Sequence, residues 1–367
     1  MFCEMVGVAF FVLTFLSVRV LIALVNLLDR NNLPWENPVD NPRLSILIPA
    51  RNEENSLPLI LQDLSVSEWQ NLEIIVYDDQ STDRTPEILK EFSTRMPNLR
   101  WIRGEGLPAG WTGKNHACHK LAESAGGDYL LFLDADVRVS PDMATKALCE
   151  IQSGGYSLVS VFPTQIMKTG GELLTVPLMN WVLLSLLPLP LVRHTRFASL
   201  SAANGQFMLF EAEGYRRNQW HYKVRSELTE DIMISRLVKK SGGKMATLTG
   251  NGDVFCRMYS AAPQAVRGFS RNVHQYFGGS RLVMLIFTLT ILAGWLPVWL
   301  SFGWSGLKTF LVLVFSNRVL IAMSSQQNVT SVLLHPVQML IFVWIVISNL
   351  FRKIKGDTEW KGRKIRL

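Results

Sequence analysis

Tyr129-Leu-Leu-Phe-Leu-Asp-Ala-Asp136 decides how this chain is read. Its first five residues are apolar without interruption, the pattern of a strand buried on both faces in a parallel sheet. Asp134 and Asp136 follow directly. Open α/β sheets bind ligands at the carboxyl ends of their strands, where these two side chains fall. Two hard carboxylate ligands there suit Mg²⁺ or Mn²⁺ holding a diphosphate.

The pattern recurs upstream. Leu72-Glu-Ile-Ile-Val-Tyr77 runs into Asp78-Asp79-Gln-Ser-Thr-Asp83. A third acidic pair, Glu230-Asp231, lies downstream. Three acidic clusters in this order, two of them behind apolar strands, point to nucleotide-sugar chemistry. Around them strands and helices alternate. Strands are expected at 43–48, 72–77, 99–103 and 128–133, and helices at 55–66, 84–95, 113–124 and 141–152. Further strands are expected at 157–162 and 206–211. Alternation of this kind implies a parallel sheet covered by helices. The first strand is followed by Pro49-Ala-Arg-Asn-Glu-Glu54 rather than a Gly-x-Gly-x-x-Gly turn, which disfavours a dinucleotide oxidoreductase.

The ends of the chain are different. Of the 367 residues 48% are hydrophobic, and the excess lies at the termini. Residues 5–28 are apolar except for Arg19, long enough for a bilayer crossing of about 20 residues. They lack the basic start of a signal peptide and read as an uncleaved anchor, residues 1–30. A proline-bearing linker, 31–42, follows. Three apolar segments, 282–303, 307–325 and 331–350, make up a C-terminal transmembrane region spanning 282–350. The middle one carries Asn317 and Arg318, costly at bilayer depth, so it is re-entrant or interfacial, or Arg318 faces the bundle interior. Segment 282–303 is alternatively a hairpin broken at Gly294 and Pro297. The run 173–192, interrupted by Pro177, Pro188 and Pro190, reads as a membrane-surface element or a wall of an acceptor cleft.

Formal net charge is +7, of which the tail supplies +5. Residues 351–367 carry Arg352, Lys353, Lys355, Lys361, Arg363, Lys364 and Arg366 against Asp357 and Glu359. Basic residues beside a membrane segment indicate the cytoplasmic side and anionic lipid. No nucleic-acid motif accompanies them, so nucleic acid is not an expected partner. Cys3, Cys118, Cys149 and Cys256 show no metal-type spacing and read as reduced thiols.

Each cluster has a plain structural rival. Residues 78–83 can simply cap a helix, which does not explain two adjacent carboxylates; a uracil ring and ribose hydroxyls would relieve their repulsion. Lys114 starts a helix after a glycine-bearing loop, where it can reach a diphosphate or stand solvated. His116 and His119 share a helix face without further zinc ligands. Glu230 and Asp231 begin another helix, a position that favours acidic residues and would lower the pKa of Asp231, suiting it to act as a general base. Arg267 and Arg271, after Gln264, can bind lipid phosphates or clamp a donor diphosphate. The segment Leu133-Asp-Ala-Asp-Val137 also resembles the nucleophile strand of haloacid-dehalogenase-type phosphatases, with Asp134 attacking phosphorus. That motif usually opens its domain, and here two strands precede it. A membrane scaffold without catalysis is the third reading.

The whole set, in order, resembles a family-2 glycosyltransferase of the GT-A fold across residues 43–275. The resemblance is carried by Ile48-Pro-Ala-Arg-Asn-Glu-Glu54, residues 78–83, Asp134-Ala-Asp136, Asn204-Gly-Gln-Phe207 and Thr229-Glu-Asp231. Gly110-Trp-Thr-Gly-Lys-Asn-His-Ala117 and Glu359-Trp-Lys-Gly-Arg363 resemble a narrower group, the carotenoid glycosyltransferases (diaponeurosporenoate and chlorobactene types) and hopanoid-associated transferases. The resemblance implies an α/β fold, a Rossmann-like mixed sheet with transmembrane helices at both ends, split into a nucleotide-sugar half (43–165) and an acceptor half (166–275). Pro49, Glu53 and Asp79 would line the uridine pocket, with Arg51, Asp78, Asp83, Lys114 and Asp134 completing the nucleotide-sugar site. Asp136 would be the main ligand of Mg²⁺ or Mn²⁺, with Asp134 toward ribose or metal. Asp231 would be the base, with Glu230 beside it. Gly205, Gln206, Gln264, Arg267 and Arg271 are candidates for acceptor or diphosphate contacts. The partners implied are a UDP-sugar donor, a lipid or isoprenoid acceptor and the bilayer, with the enzyme multi-pass in the cell membrane and its catalytic domain cytoplasmic. Processive members carry Gln-x-x-Arg-Trp; here Gln264-Ala-Val-Arg267 is followed by Gly268, which favours transfer of a single sugar.

Overall fold

The computed structural model describes residues 2–29, 32–34, 36, 38, 40–352, 359–360 and 363–364. Most of the basic tail, residues 353–358, 361–362 and 365–367, lies outside the described residues. In chain order the elements are α1 (Phe2–Leu28), β1 (Leu44–Ala50), α2 (Leu57–Ser65), β2 (Leu72–Asp78), α3 (Thr85–Arg95), β3 (Leu99–Arg103), α4 (Gly113–Ser124), β4 (Tyr129–Leu133), β5 (Val137–Val139), α5 (Met143–Gly154), β6 (Leu158–Phe162) and β7 (Thr164–Gln165). There follow α6 (Gly170–Thr175), α7 (Pro177–Leu186), α8 (Leu189–His194), β8 (Phe207–Glu211), α9 (Ala212–Asn218), α10 (Trp220–Lys223), α11 (Glu230–Lys240), β9 (Met245–Thr249), β10 (Val254–Cys256) and α12 (Ala262–Asn272). The last helices are α13 (Arg281–Ala293), α14 (Trp295–Ser324), α15 (Val329–Leu333) and α16 (His335–Arg352).

The chain divides into two compact units. One comprises residues 32–164, 191–257 and 357–367; the other comprises 1–31, 165–190 and 258–356.

In the first of these, seven strands form one mixed sheet in the order β3-β2-β1-β4-β8-β6-β9. β1 pairs in parallel with β2 on one side and β4 on the other, and β8 runs antiparallel to both β4 and β6. Every residue of β1 and of β2 is buried, as continuous apolar strands covered on both faces should be. The chain builds outward from β1 through β2 to β3, then returns to place β4 on β1's other side. That reversal opens a crevice at the carboxyl ends of β1 and β4, the topological switch point of an open α/β sheet. At the amino ends the charge serves the scaffold. Glu73 accepts from Ser45 Oγ at 2.6 Å and from the Gly126 amide at 2.7 Å, and pairs with Arg43 at 3.1 Å.

The second unit is built from the apolar helices. Cys3–Leu28 and Arg281–Ser324 are each long and apolar enough to cross a membrane, by length and composition. Phe10 meets Phe302 at 5.3 Å and Phe15 meets Phe287 at 6.0 Å, so residues 281–302 run against α1. Asn317 donates to the Arg19 carbonyl at 2.9 Å, so residues 304–324 run alongside α1. The chain therefore reverses between them, at Gly303, whose φ of 59° and ψ of −147° a side chain would strain. Helix α13 does end at Ala293, so a break falls at Gly294 as expected, but the reversal expected at Gly294 and Pro297 lies at Gly303 instead. Gly294 keeps right-handed helical angles, and Pro297 sits in the first turn of α14, where the missing amide has no intrahelical partner to lose.

Residues 304–324 form a helix, and of the readings offered for this segment the structure bears on one: Arg318 faces the interior. Arg318 is fully buried and donates to Gln327 Oε1 at 2.6 Å and Ser331 Oγ at 2.5 Å. Arg19, an apparent interruption of α1, is also buried. It donates to Ser185 Oγ at 3.0 Å and lies 4.7 Å from the Trp181 ring centroid. The expectation of a surface element at 173–192 fails for the same reason: α7 is interior, with Trp181 and Ser185 buried and Leu184 and Leu187 offering carbonyls to Asn26 Nδ2 at 2.9 Å.

Candidate active site

The site is assembled by the start of α4. Thr112 caps that helix by accepting from the Asn115 amide at 3.3 Å. Asn115 in turn donates from Nδ2 to the carbonyls of Val224, at 2.7 Å, and Glu227, at 3.0 Å. The loop leading into α11 is thereby tied to α4, and Glu230 is set against Lys114. The Lys114 ammonium lies 2.8 Å from Asp134, 3.0 Å from Glu230 and 3.3 Å from the Gly205 carbonyl. Groups from residues 134, 205 and 230 converge on this one cation.

Asp231 stands on the other side of Gly205, accepting from the Gly205 amide at 3.1 Å and the Ile232 amide at 2.8 Å. Asp136 lies 3.4 Å from Gln206 Nε2, whose other neighbour is Cys256 Sγ at 2.8 Å. Asp134 closes the ring through its amide, which donates to the Gln206 carbonyl at 3.2 Å. The segment 204–206 thus threads between the two acidic pairs.

Electrostatics follow from this packing. Burial and the neighbouring Glu230 raise the Asp231 carboxyl to about 7, against the smaller opposing effects of Lys114 and the two amides. The expected lowering at a helix start is overturned, because desolvation outweighs the helix terminus here. Burial likewise raises Asp134, to about 6, with Lys114 opposing and Asp136 reinforcing. Burial alone would lower Lys114, but Asp134 and Glu230 more than offset it and hold the ammonium charged.

The loops after β1 and β2 form a second cluster at the same end of the sheet. Pro49 is in register with Tyr77. Arg51 donates from Nη1 to the Asp79 carbonyl, and the Glu53 amide donates to Thr85 Oγ1 at 2.9 Å. Asp83 accepts from the Glu54 and Thr85 amides, each at 3.0 Å. Burial pushes its carboxyl up, yet the bonds from Thr85 and Glu54 prevail and hold it below the usual range. Asp83 fastens these two loops together. Asp78 and Asp79 are both buried, and Asp78 Oδ2 has no hydrogen-bond partner while Oδ1 accepts from Ser81 at 3.0 Å. A buried carboxylate oxygen without a partner is suited to a donor-bearing ligand. Beside β2 and β3 a cleft of about 610 Å³ is lined by Tyr77, Arg103, Leu107, Pro108, His116 and Lys120. His116 and His119 pack on Trp111 at 5.5 and 5.2 Å.

Gln264, Arg267 and Arg271 lie on α12, in the other compact unit. Gln264 accepts from the Ser260 amide at 3.3 Å. Beside them Gly268 is crowded: a Cβ there would fall 2.0 Å from the Tyr259 hydroxyl. Sequence reasoning missed Cys256, which sits on a three-residue strand with no periodicity to announce it, and the Asn115 tether, whose partners are backbone carbonyls.

Among the described residues no three His, Cys, Asp or Glu side chains form a metal cage. Asp134 and Asp136 nonetheless suit a hard divalent ion that keeps water and phosphate oxygens as its remaining ligands, because Mg²⁺ is commonly held by one or two carboxylates.

Residues 45–217 match the family model for Glycosyl transferase family 2. Over those residues, just under half of its length, the chain is similar to the family-2 glycosyltransferases. That assignment replaces the phosphatase reading of Asp134. Over 258 residues the chain is 28% identical to a 4,4'-diaponeurosporenoate glycosyltransferase of Staphylococcus haemolyticus, covering 68% of this chain and 65% of that relative, just under two thirds of its length. It is 23% identical over 343 residues to the protein of the same name from Staphylococcus aureus (strain USA300), covering 88% of each. In fold it is similar to the mannosyltransferase PcManGT from Pyrobaculum calidifontis, solved in complex with GDP-Man and Mn²⁺, with a TM-score of 0.55, 15% identity and coverage of 95% and 99%. The fold is GT-A.

Gly205 is the tightest point of the site: a Cβ would fall 2.8 Å from Glu230 Oε1 and 2.9 Å from Lys114 Nζ. Gly205→Ala is expected to push these two apart, costing about 1–3 kcal/mol of stability. Melting temperature should fall by several degrees, and sugar transfer should fall by at least about tenfold, one decade being 1.4 kcal/mol at the barrier. Unchanged turnover would show that the Lys114–Glu230 contact has no bearing on catalysis.

Proposed function

We propose that this protein transfers a single sugar, glucose from UDP-glucose, to a hydroxyl or carboxylate of a lipid or isoprenoid acceptor of the carotenoid or hopanoid kind. The observation that carries this reading is the convergence of Asp134, Glu230 and Asp231 on Lys114 and Gly205 at the carboxyl ends of the strands. The names of the curated relatives support a carotenoid acid as the acceptor class.

In the proposed reaction the acceptor oxygen attacks the anomeric carbon as the bond to the UDP phosphate breaks, and UDP leaves with the bonding pair. Direct displacement inverts the anomeric centre. Asp231 takes the proton when the acceptor is a hydroxyl, and positions the acceptor when it is a carboxylate. Glu230 and Asp134 hold Lys114 charged beside the developing diphosphate charge. Asp78 and Asp79, with Pro49, Arg51 and Glu53, receive the uridine; the unpartnered Asp78 oxygen supports this. Asp136, with Asp134, would hold Mg²⁺ or Mn²⁺, which when bound neutralises the leaving diphosphate.

For topology we infer that α1 crosses the membrane once and that α13 and α14 cross as a hairpin turned at Gly303. α16 is read as not crossing. Its polar side chains are committed to neighbours: Gln338 to the Leu173 carbonyl at 2.8 Å, Asn349 to the Ser270 carbonyl at 2.8 Å. The catalytic domain and the basic tail then share the cytoplasmic side.

Four outcomes are expected. Asp136→Asn should leave the protein folded and in the membrane but nearly inactive, since several kcal/mol of leaving-group stabilisation is lost at ~1.4 kcal/mol per decade of rate; turnover indifferent to EDTA would sink the metal assignment. With a hydroxyl acceptor, kcat should rise with pH through about 7 and level off above it, because Asp231 is raised to about 7 and acts only when ionised. Asp231→Asn should remove that limb and lower kcat by about 10²–10⁴ with little change in UDP affinity; an equal loss of UDP affinity would reassign Asp231 to the donor site. Finally, single cysteines near residue 200 and at the tail should both be labelled only from the inner face. A tail reached from the outer face would make α16 a third crossing.

A further inference from the structure

α15 and α16 are apolar on the outside and polar on the inside. Val329 and Leu333 are exposed on α15. Val337, Leu340, Trp344, Ile347 and Phe351 are exposed on α16. Each step along this series is three or four residues, so the side chains share one face. Leu334, between the two helices, keeps right-handed helical angles, φ −78° and ψ −1°, and the stripe carries across it. It begins where the exposed side of α14, Phe315, Val319 and Met323, leaves off. The opposite face is buried and holds the polar groups. Ser331 Oγ accepts from Arg318 Nη2 at 2.5 Å and from Gln338 Nε2 at 3.3 Å. Gln338 also donates to the Leu173 carbonyl, and Asn349 to the Ser270 carbonyl, both at 2.8 Å. A helix facing water has the reverse arrangement. A continuous apolar face on the outside suits lipid.

Two features decide how the pair meets lipid. α16 has 18 residues and is about 27 Å long, short of the ~30 Å hydrocarbon core. α12 runs beside it: Asn349 bonds to Ser270, and Ala262 and Val266 line one cleft with Leu340 and Trp344. Near its two ends α12 exposes Gln264 and Arg271. If α16 crossed the bilayer, α12 would be carried in with it, and exposed polar and charged side chains are costly there. We infer that α15 and α16 lie in the plane of the inner leaflet, at the boundary between headgroups and acyl chains. The stripe from Val329 to Phe351 rests in the acyl layer, with Trp344 at the interface that indole rings favour and Arg271 level with the phosphates. The inference rests on the topology proposed above, in which α16 does not cross. It adds the partner of this surface, a phospholipid monolayer.

The test is spin labelling of the full chain in vesicles of phosphatidylethanolamine and phosphatidylglycerol. Cys3→Ser removes the exposed thiol, while Cys118, Cys149 and Cys256 are buried and stay unlabelled. Leu333→Cys, Val337→Cys and Phe351→Cys then each place one nitroxide at an exposed position. All three labels should be reached by oxygen and not by a water-soluble nickel chelate, at one common depth within about 5–10 Å of the phosphates. In a crossing helix the depths of residues 337 and 351 would instead differ by about 21 Å, at 1.5 Å per residue. That gradient would overturn the inference and the proposed topology together. Labels open to the nickel chelate would overturn the inference alone and leave α16 on the aqueous side. Labels closed to both reagents would mean that protein, such as a second copy of this chain, covers the stripe, and would overturn it as well. The melting temperature of each variant reports whether it has folded, and any two of the three sites suffice to separate these results.

Discussion

One ammonium group holds the centre of this site together. Asp134 follows β4 while Glu230 and Asp231 open α11, far away in sequence, and their charges oppose being gathered in a partly desolvated crevice. Lys114, bonded to Asp134 and Glu230, makes the gathering tolerable. Much of the surrounding structure is explained by the need to put that lysine there. Thr112 starts its helix, Asn115 ties the α11 loop to it, and Gly205 leaves room for it where any side chain would collide. Removing a partner from such a cluster strands a buried charge, which costs more than the pair is worth.

The sequence made the sheet legible because its strands are long apolar runs that end in carboxylates. The helix at 113–124 was readable to the residue, since a glycine-bearing loop precedes it. β5, β9 and β10 escaped notice. They are three to five residues long, and β9 carries two threonines, one of which, Thr247, is satisfied by the Ala202 carbonyl at 2.6 Å. A short strand with internal polar residues has no periodic signal to find. Motifs named Asp134, Glu230 and Lys114 singly, but no local pattern says that they meet. The pKa of Asp231 failed for a related reason: the helix start is visible in sequence, whereas the burial that dominates it is a tertiary property.

The apolar helices teach the converse. Arg19 and Arg318 read as flaws in membrane segments because their cost is visible in sequence and their compensation is not. Arg19 has Ser185 and the Trp181 face; Arg318 has Gln327 and Ser331. A charge within an apolar helix is expected to face a bundle interior and find partners there. Ser185 is 166 residues from Arg19, out of reach of any windowed reading.

The departure at Gly268 has a physical counterpart. A Cβ at that position would fall 2.0 Å from the Tyr259 hydroxyl, so the Tyr259 ring occupies the space a larger residue would need. Tyr259 is itself held edge-on against Phe269 at 5.1 Å. Restoring a tryptophan at 268 alone would therefore not restore a sugar-stacking surface; it would displace Tyr259 and disturb α12, the helix that carries Arg267. A larger residue at 268 therefore needs a change at 259 as well. An α12 built this way carries no indole at residue 268, and the Tyr259 ring fills the space beside it.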